Sequence, residues 1–443
     1  MDELFQKAIK YGIKKGADQV EIFALEGCID IVQLEKNAIF ASESKSITGI
    51  GVRVYTKKGL GIATSSLIEK ESIKKIVEIA VKLSKLSPPD KLFSSLPGPF
   101  TNYPKIDGLN DKGICELPDE KLPEMASEAI DSALERHKVI TSGNFKRTDV
   151  NETIHNSMGI EISQRLSSLT GVIFAKAENG NDIATSWDFQ KVRNHKEFQP
   201  SRIGRTAAEN AVSLLGAKKI RSAELPIILD QRSTIDTLSS IIAAGLDAYE
   251  VILGTAFFKD RLGEQLTSSE ITLIDNPLYP EGVGSAIFDD EGVPHRKITL
   301  IENGVAKNYF SNSYCANVLG IENTAHAQKQ SLGSKPHPDL TQVQITPGNA
   351  SLDELIKETK KGLYLKDSAL EPSAGSPNIS VLIDQGFLIK DGEISHPLKE
   401  TMIGSNIFEL LTNIEAVSKE VINESGAISP AIKISKVSVA GGK

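Results

Sequence analysis

Seven histidines supply the ring nitrogens of this chain: His137, His155, His195, His295, His326, His337 and His396. No two of them lie within eight residues of each other. A chelating pair on one helix needs its imidazoles about one turn apart, so no local pair can hold a metal, and convergence would have to come from the fold. His295, His326 and His337 fall in one stretch of chain, and His326, in "NTAHAQ", is the candidate for lining a cleft. The other histidines read as solvent-facing or hydrogen-bonded groups. Asp247 and Glu250 stand three apart, on one helical face. They could work as acid and base at a cleft or simply mark the polar end of that helix. "FDDEGV" places Asp289, Asp290 and Glu291 side by side. An EF-hand spreads its acids over a loop of roughly twelve residues, so this run reads as a charged hairpin turn. The three cysteines, Cys28, Cys115 and Cys315, are odd in number and form no CxxC. They suggest neither a disulfide framework nor a thiolate metal site, and Cys315 reads as a small core residue. There is no GxSxG elbow, no P-loop and no strand–GxGxxG–helix unit.

What must position these groups is a mixed α+β chain. At 443 residues it has length for two or three domains, and 40% apolar residues are enough to give each a core. The net charge of −8 offers no electrostatic attraction for a phosphate backbone, so direct nucleic-acid binding is not expected. The first residues, "MDELFQKAIKYGIKKGA", form an amphipathic helix with acids in its first turn, not a signal peptide. The longest apolar run, Leu238 to Phe258, contains Asp247 and Glu250 and so reads as a buried helix, not a membrane span. A reducing cytoplasm suits the unpaired cysteines.

A first α/β unit occupies residues 1–86, a Pro- and Ser-rich linker 87–110, a second α/β unit 111–222 and a β-rich domain 223–443. In the first unit, "DQVEIFAL" and "CIDIVQLE" alternate like two half-buried strands, and "GIGVRVYTKKGLGIATSS" reads as a hairpin. The second unit repeats the plan. "TG" recurs at Thr48 and Thr170, and "IATS" at Ile62 and Ile183. In the last domain "STIDTLSSIIAAGLDAYEVILG" reads as one long buried helix, with Ser233 and Asp236 as a capping-box-like start and Gly254 near its end. Strands then dominate, and "ENG" and "KDG" are hairpin turns. The fold class expected is α+β, with an internal repeat in the N-terminal helix–strand units and a predominantly antiparallel C-terminal domain built around that helix.

Five blocks in this order resemble the TldD/PmbA family, the modulators of DNA gyrase: "DRLGEQL" (Asp260 to Leu266), "FDDEGV", "LIENGVAKNYFSNSYCANVLGI" (Leu300 to Ile321), "GFLIKDGEISHPLKETMIGSNIFELLTNI" (Gly386 to Ile414) and "SVAGG" (Ser438 to Gly442). "TSWDF" (Thr185 to Phe189) looks like the PmbA, or TldE, side of the family. The resemblance implies a pair of related subunits, of which the TldD-type one carries zinc on an HExxxH helix with a cysteine near its C-terminus. Aligned on the strand before that helix, the HExxxH histidines fall here on Ser239 and Ala244 and the glutamate on Ser240. The C-terminal cysteine is missing too; the corresponding stretch reads "NESGAISPAIKI". Serine and alanine offer no imidazole lone pair. The resemblance therefore implies a degenerate metal site, with no catalytic residue, metal or cofactor on this chain and zinc expected on a TldD-type partner. It implies hydrolysis of unfolded peptides by the heterodimer or higher complex, and a homodimer in isolation. The competing reading is a non-enzymatic homodimeric modulator related to gyrase or to toxin–antitoxin systems.

Overall fold

The computed structural model describes residues 1–373, 375–424 and 426–442. Its N-terminal half contains α1 (Asp2–Lys14), β1 (Gln19–Glu35), β2 (Ala38–Thr56), β3 (Gly59–Ser65) and α2 (Lys70–Leu86). The short α3 (Lys112–Cys115) follows, then α4 (Lys121–Leu134), β4 (Val139–Asn156), β5 (Glu161–Asn179), β6 (Asp182–Val192) and α5 (Pro200–Ser213). The six strands make one antiparallel sheet in the order β3-β2-β1-β4-β5-β6. The two units of the sequence reading are thus halves of a single sheet, joined where β1 pairs with β4 from Glu21↔Asn156 to Leu34↔Gly143. Thr48 lies on β2 and Thr170 on β5; Ile62 lies on β3 and Ile183 on β6. Helices cover one face. Phe5, Ile9, Ile73 and Val77 of α1 and α2 pack on Val20, Ile22, Ile50 and Val52. Ile130 and Ile203 of α4 and α5 pack on Val32, Phe145, Leu169 and Ile173.

Two expectations change here. "DQVEIFAL" and "CIDIVQLE" are not two strands but parts of β1, whose pairing with β2 runs without a break through Gly27 and Cys28. Alternation in sequence cannot show whether a long strand is interrupted, because pairing on both sides decides it. The 87–110 stretch holds no helix or strand, yet it packs on the body: the Phe93 ring stacks on Tyr55 with centroids 3.5 Å apart, and Leu96 and Leu109 are buried.

The C-terminal half begins with β7 (Ala223–Leu229), α6 (Gln231–Leu246) and α7 (Ala248–Leu253). Short elements come next: β8 (Leu273–Asp275), β9 (Ile298–Glu302), β10 (Val305–Ala306), α8 (Ser313–Leu319), β11 (Ala327–Gln328), β12 (His337–Pro338), β13 (Val343–Ile345) and α9 (Leu352–Glu358). The chain ends with β14 (Lys361–Leu365), β15 (Asn378–Leu382), β16 (Gly386–Lys390), β17 (Glu393–Pro397), β18 (Thr401–Asn406), α10 (Ile407–Thr412), β19 (Ile414–Glu424) and β20 (Ala427–Gly441). Most of these strands join one large sheet. Its hub is β20, which pairs with β7, β18 and β19 antiparallel and with β13 parallel. The "ENG" and "KDG" turns are left-handed at both central residues (Asn303 and Gly304; Asp391 and Gly392), the geometry that matches strand twist. No helix among the described residues is long and apolar enough to cross a membrane.

The long helix of the sequence reading is broken. The end of α6 is Leu246, and Asp247 has extended backbone (φ −65°, ψ 120°) before α7 starts. The break has a local cause. The Asp247 carboxylate accepts the Tyr249 amide at 2.7 Å, while the freed Ala248 amide bonds to Phe310 O at 3.0 Å. Asp prefers capping a new helix to sitting inside an old one. Likewise the cap of α6 is Asp230, which accepts the Ser233 amide at 2.7 Å, and not a Ser233–Asp236 box. Gly254 does close α7, in the left-handed conformation at φ 79°.

Candidate functional site

The buried stripe of α6 is Leu238, Ile241, Ile242 and Leu246, at helical spacing. It packs against Ile227 and Leu229 of β7 and Ile432 and Ile434 of β20. Two hydroxyls on its inner side tie down the chain after β14: the Ser368 amide donates to Ser233 Oγ at 2.9 Å, and the Leu370 amide donates to Thr237 Oγ1 at 2.9 Å. The positions aligned with HExxxH lie on the other side. Ser239, Ser240, Ala243 and Ala244 are half-buried, so this face is open and lined by small side chains. Among the described residues its one polar contact is Ser240 Oγ donating to Glu371 Oε1 at 3.3 Å. A hydroxyl, a hydroxyl and a methyl do not fit zinc, which takes imidazole, thiolate or carboxylate ligands. Ser425, in the stretch where the family's cysteine would lie, is outside the described residues.

The candidate carboxylates sit one step farther along. Asp247 is buried at 6% exposure, and burial pushes its carboxyl up to about 6 despite the Tyr249 amide. Glu250, half-buried, follows on α7, and its carboxylate accepts a short hydrogen bond from the Thr255 hydroxyl. A residue that sequence spacing did not single out joins them. His337, on β12, brings Nδ1 to 3.6 Å from Asp247 Oδ2 and sets its ring edge-on to Tyr249 at 4.7 Å. One ligand atom from each of Asp247, Glu250 and His337 lies within 4.8 Å of the others. Beside this cluster is a cavity of about 470 Å³ between the two halves of the molecule. Its walls include His337, Tyr249 and Tyr314 from the C-terminal half and Arg53 and Tyr55 from β2.

His326 does not line that cleft. It is fully buried (0% exposed), against Phe310, with Nδ1 2.9 Å from Thr324 Oγ1 and Nε2 3.4 Å from Asp275. Burial raises the Asp275 carboxyl, but the His326 imidazole and Thr341 outweigh it and hold the group below its usual range. The apolar family block before "NTAHAQ" carries this histidine into the core, where it works as a structural hydrogen-bonding group. His295 is buried beside it, its pKa lowered by burial to about 3.

"FDDEGV" is also not a solvated turn. Asp289 and Glu291 are each 3% exposed. The turn is inserted between the two halves. Arg53 Nη2 donates to Glu21 at 2.6 Å and to Glu291 at 3.0 Å, while Lys329 Nζ donates to Glu21 at 2.9 Å and to Asp290 O at 2.8 Å. Burial raises the Glu21 carboxyl, and Arg53 and Lys329 overcome it to bring the group down to about 2. On the other flank Arg193 donates to the carbonyls of Gly282, Val283, Ser285 and Leu109 at 2.7 to 3.0 Å. Glu21 and Arg53 face each other in the β1–β2 register. Sequence reasoning singled out neither member of this cross-strand pair, and its third partner lies 238 residues from Arg53.

Three family models match the chain in order. They are described as PmbA/TldA metallopeptidase domain 1 over residues 20–84, the central domain over 112–215 and the C-terminal domain over 222–441. A metalloprotease of Methanocaldococcus jannaschii is 26% identical over 431 residues, covering 94% of this chain and 92% of its own. A metalloprotease PmbA homolog of Haemophilus influenzae is 24% identical over 449 residues, covering 98% and 94%. Among solved structures, TldE from Thermococcus kodakarensis superposes with a TM-score of 0.89 at 25% identity, covering 99% of this chain and 100% of that one.

Proposed function

This chain belongs to the PmbA/TldA metallopeptidase family, and on that premise we propose that it is the PmbA/TldE-type subunit of a two-subunit peptidase acting on unfolded peptides. The reading is supported above all by the open face of α6. It keeps the helix, its Asp230 cap and its buried stripe, but presents Ser239, Ser240 and Ala244 where HExxxH donors would stand. Without an imidazole or carboxylate at those three positions the HExxxH ligand set cannot form, and peptide hydrolysis requires the metal of a TldD-type partner. The role left to this chain is to complete the chamber wall. The likeness to TldE over the whole length supports the same assignment.

Cleavage of an unstructured peptide by this chain, by a TldD-type partner and by their mixture is the test. Activity is expected in the mixture. It should vanish when the glutamate of the partner's HExxxH is replaced, and persist with Ser240→Ala in this chain. Cleavage by this chain alone, abolished by a chelator, overturns the assignment; a stable homodimer that neither binds the partner nor alters its activity favours the modulator reading instead.

A further inference from the structure

We propose that Asp247, Glu250 and His337 form a binding site for a divalent first-row cation of the zinc or manganese class, at the α6–α7 break and not on the face aligned with HExxxH. This rests on side chains of this chain alone and is independent of the subunit assignment.

The donor set is two carboxylates and an imidazole, a combination suited to zinc and manganese and too nitrogen-rich for a calcium or magnesium preference. Ligand atoms that share one ion at roughly 2.0–2.2 Å can stand no more than about 4.4 Å apart. The three donors, within 4.8 Å of one another, need only small side-chain rotations to reach that spacing. The 3.6 Å between His337 Nδ1 and Asp247 Oδ2 is too long for a hydrogen bond.

Each ligand is also held from behind. Asp247 commits one oxygen to the Tyr249 amide and turns the other, Oδ2, toward His337. Pairing of β12 with β11 at Gln328↔His337 fixes the histidine backbone, and the Tyr249 ring supports the imidazole. Nδ1 lies 3.0 Å from Pro338 O. A proton donated there leaves Nε2 with its lone pair. A backbone carbonyl behind a ligating histidine is the common arrangement in metal sites. Glu250 is braced by the Thr255 hydroxyl.

Charge gives a further reason. Asp247 is a buried carboxylate, and the His337 ring nitrogen that approaches it is too distant to hydrogen-bond. A buried carboxylate is costly unless it is neutralised, paired or bound to a metal. A divalent ion would balance it and Glu250 together. Three protein ligands leave coordination positions open, and His337 and Tyr249 lie on the wall of the 470 Å³ cavity, so those positions have both an entry path and space for water or a second ligand.

Equilibrium dialysis of the tag-free full chain, first stripped with chelator, against zinc, manganese, calcium or magnesium decides the matter. One equivalent of zinc or manganese per chain is expected in micromolar metal, with a rise in the thermal midpoint. His337→Ala and Glu250→Gln, both at partly exposed positions, should each weaken binding by more than about 10-fold, since even outer partners of metal ligands are worth 10–100-fold. Ser240→Ala should bind as the parent does. No zinc or manganese bound at millimolar concentration overturns the proposal. So does binding that both His337→Ala and Glu250→Gln retain in full, because the ion then sits elsewhere.

Discussion

Replacing Arg53 with methionine removes the guanidinium that lies between Glu21 and Glu291, two buried carboxylates of different halves of the molecule. Glu21 is 1% exposed and Glu291 3%, so neither can recover water in the folded state. The size of the loss follows from Glu21. Its carboxyl is brought from 4.5 down to about 2 even though burial pushes the other way. At about 1.4 kcal/mol per decade, that displacement corresponds to roughly 3 kcal/mol of stability at neutral pH. Lys329 stays in place at 2.9 Å and keeps part of it. Glu291 keeps the Ser313 amide at 2.9 Å but loses Arg53. Breaking a buried pair by removing one partner costs about 3–5 kcal/mol, and the same range is expected here at pH 8.

The pH dependence has a definite sign. In the parent chain Glu21 has a depressed pKa, so its contribution is present above 4.5 and is lost as pH falls toward about 2. Without Arg53 the balance shifts toward burial, the carboxyl rises, and the variant is penalised when that group ionises. The stability gap should therefore be widest at pH 8 and narrow toward pH 5. Urea unfolding followed by the single tryptophan, Trp187 on β6, gives both measurements. Glu21→Gln added to Arg53→Met should return about half of the loss. A gap under about 1 kcal/mol at pH 8, or one that widens at pH 5, refutes the view that this network is buried and charged.

Burial, with Asp290 adding repulsion, pushes Glu152 up to about 7. A carboxyl raised in the folded state weakens the fold as pH climbs from 4.5 to 7, so Glu152→Gln should be more stable than the parent at pH 8, by on the order of 3 kcal/mol at most, and no different at pH 4; equal midpoints at pH 8 contradict this. In Gly245→Ala the new methyl would lie 2.1 Å from the Phe258 ring, which is fully buried and cannot yield. Overpacking of about 1–3 kcal/mol should exceed the ~1 kcal/mol that alanine contributes to a helix, and thermal unfolding should show net destabilisation. Thr237→Val leaves the buried Leu370 amide without its acceptor and should lower stability by about 1–3 kcal/mol, a loss absent from Ser239→Ala on the open face of the same helix.

Much of the architecture could be read along the chain because its causes are local. The α6 stripe at Leu238, Ile241, Ile242 and Leu246, the left-handed "ENG" and "KDG" turns and the Gly254 cap all depend on residues a few positions apart. Sequence also shows that Ser239, Ser240 and Ala244, the positions aligned with HExxxH by resemblance, carry no imidazole or carboxylate, and a side chain cannot acquire such a donor by folding. The tertiary structure decided where the remaining charges lie. "FDDEGV" has the composition of a solvated turn, and only its insertion against Arg53 and Lys329 makes burial tolerable. His326 and His337 stand eleven residues apart in similar polar surroundings, yet one is sealed at 0% exposure and the other meets Asp247 at the cavity wall. Asp247 itself was visible as an acid in an apolar run, but whether it ended a helix or faced a cleft depended on Phe310 arriving to accept the Ala248 amide. Burial and convergence depend on pairing between segments tens to hundreds of residues apart, and the pattern within any one segment carries no record of its partner.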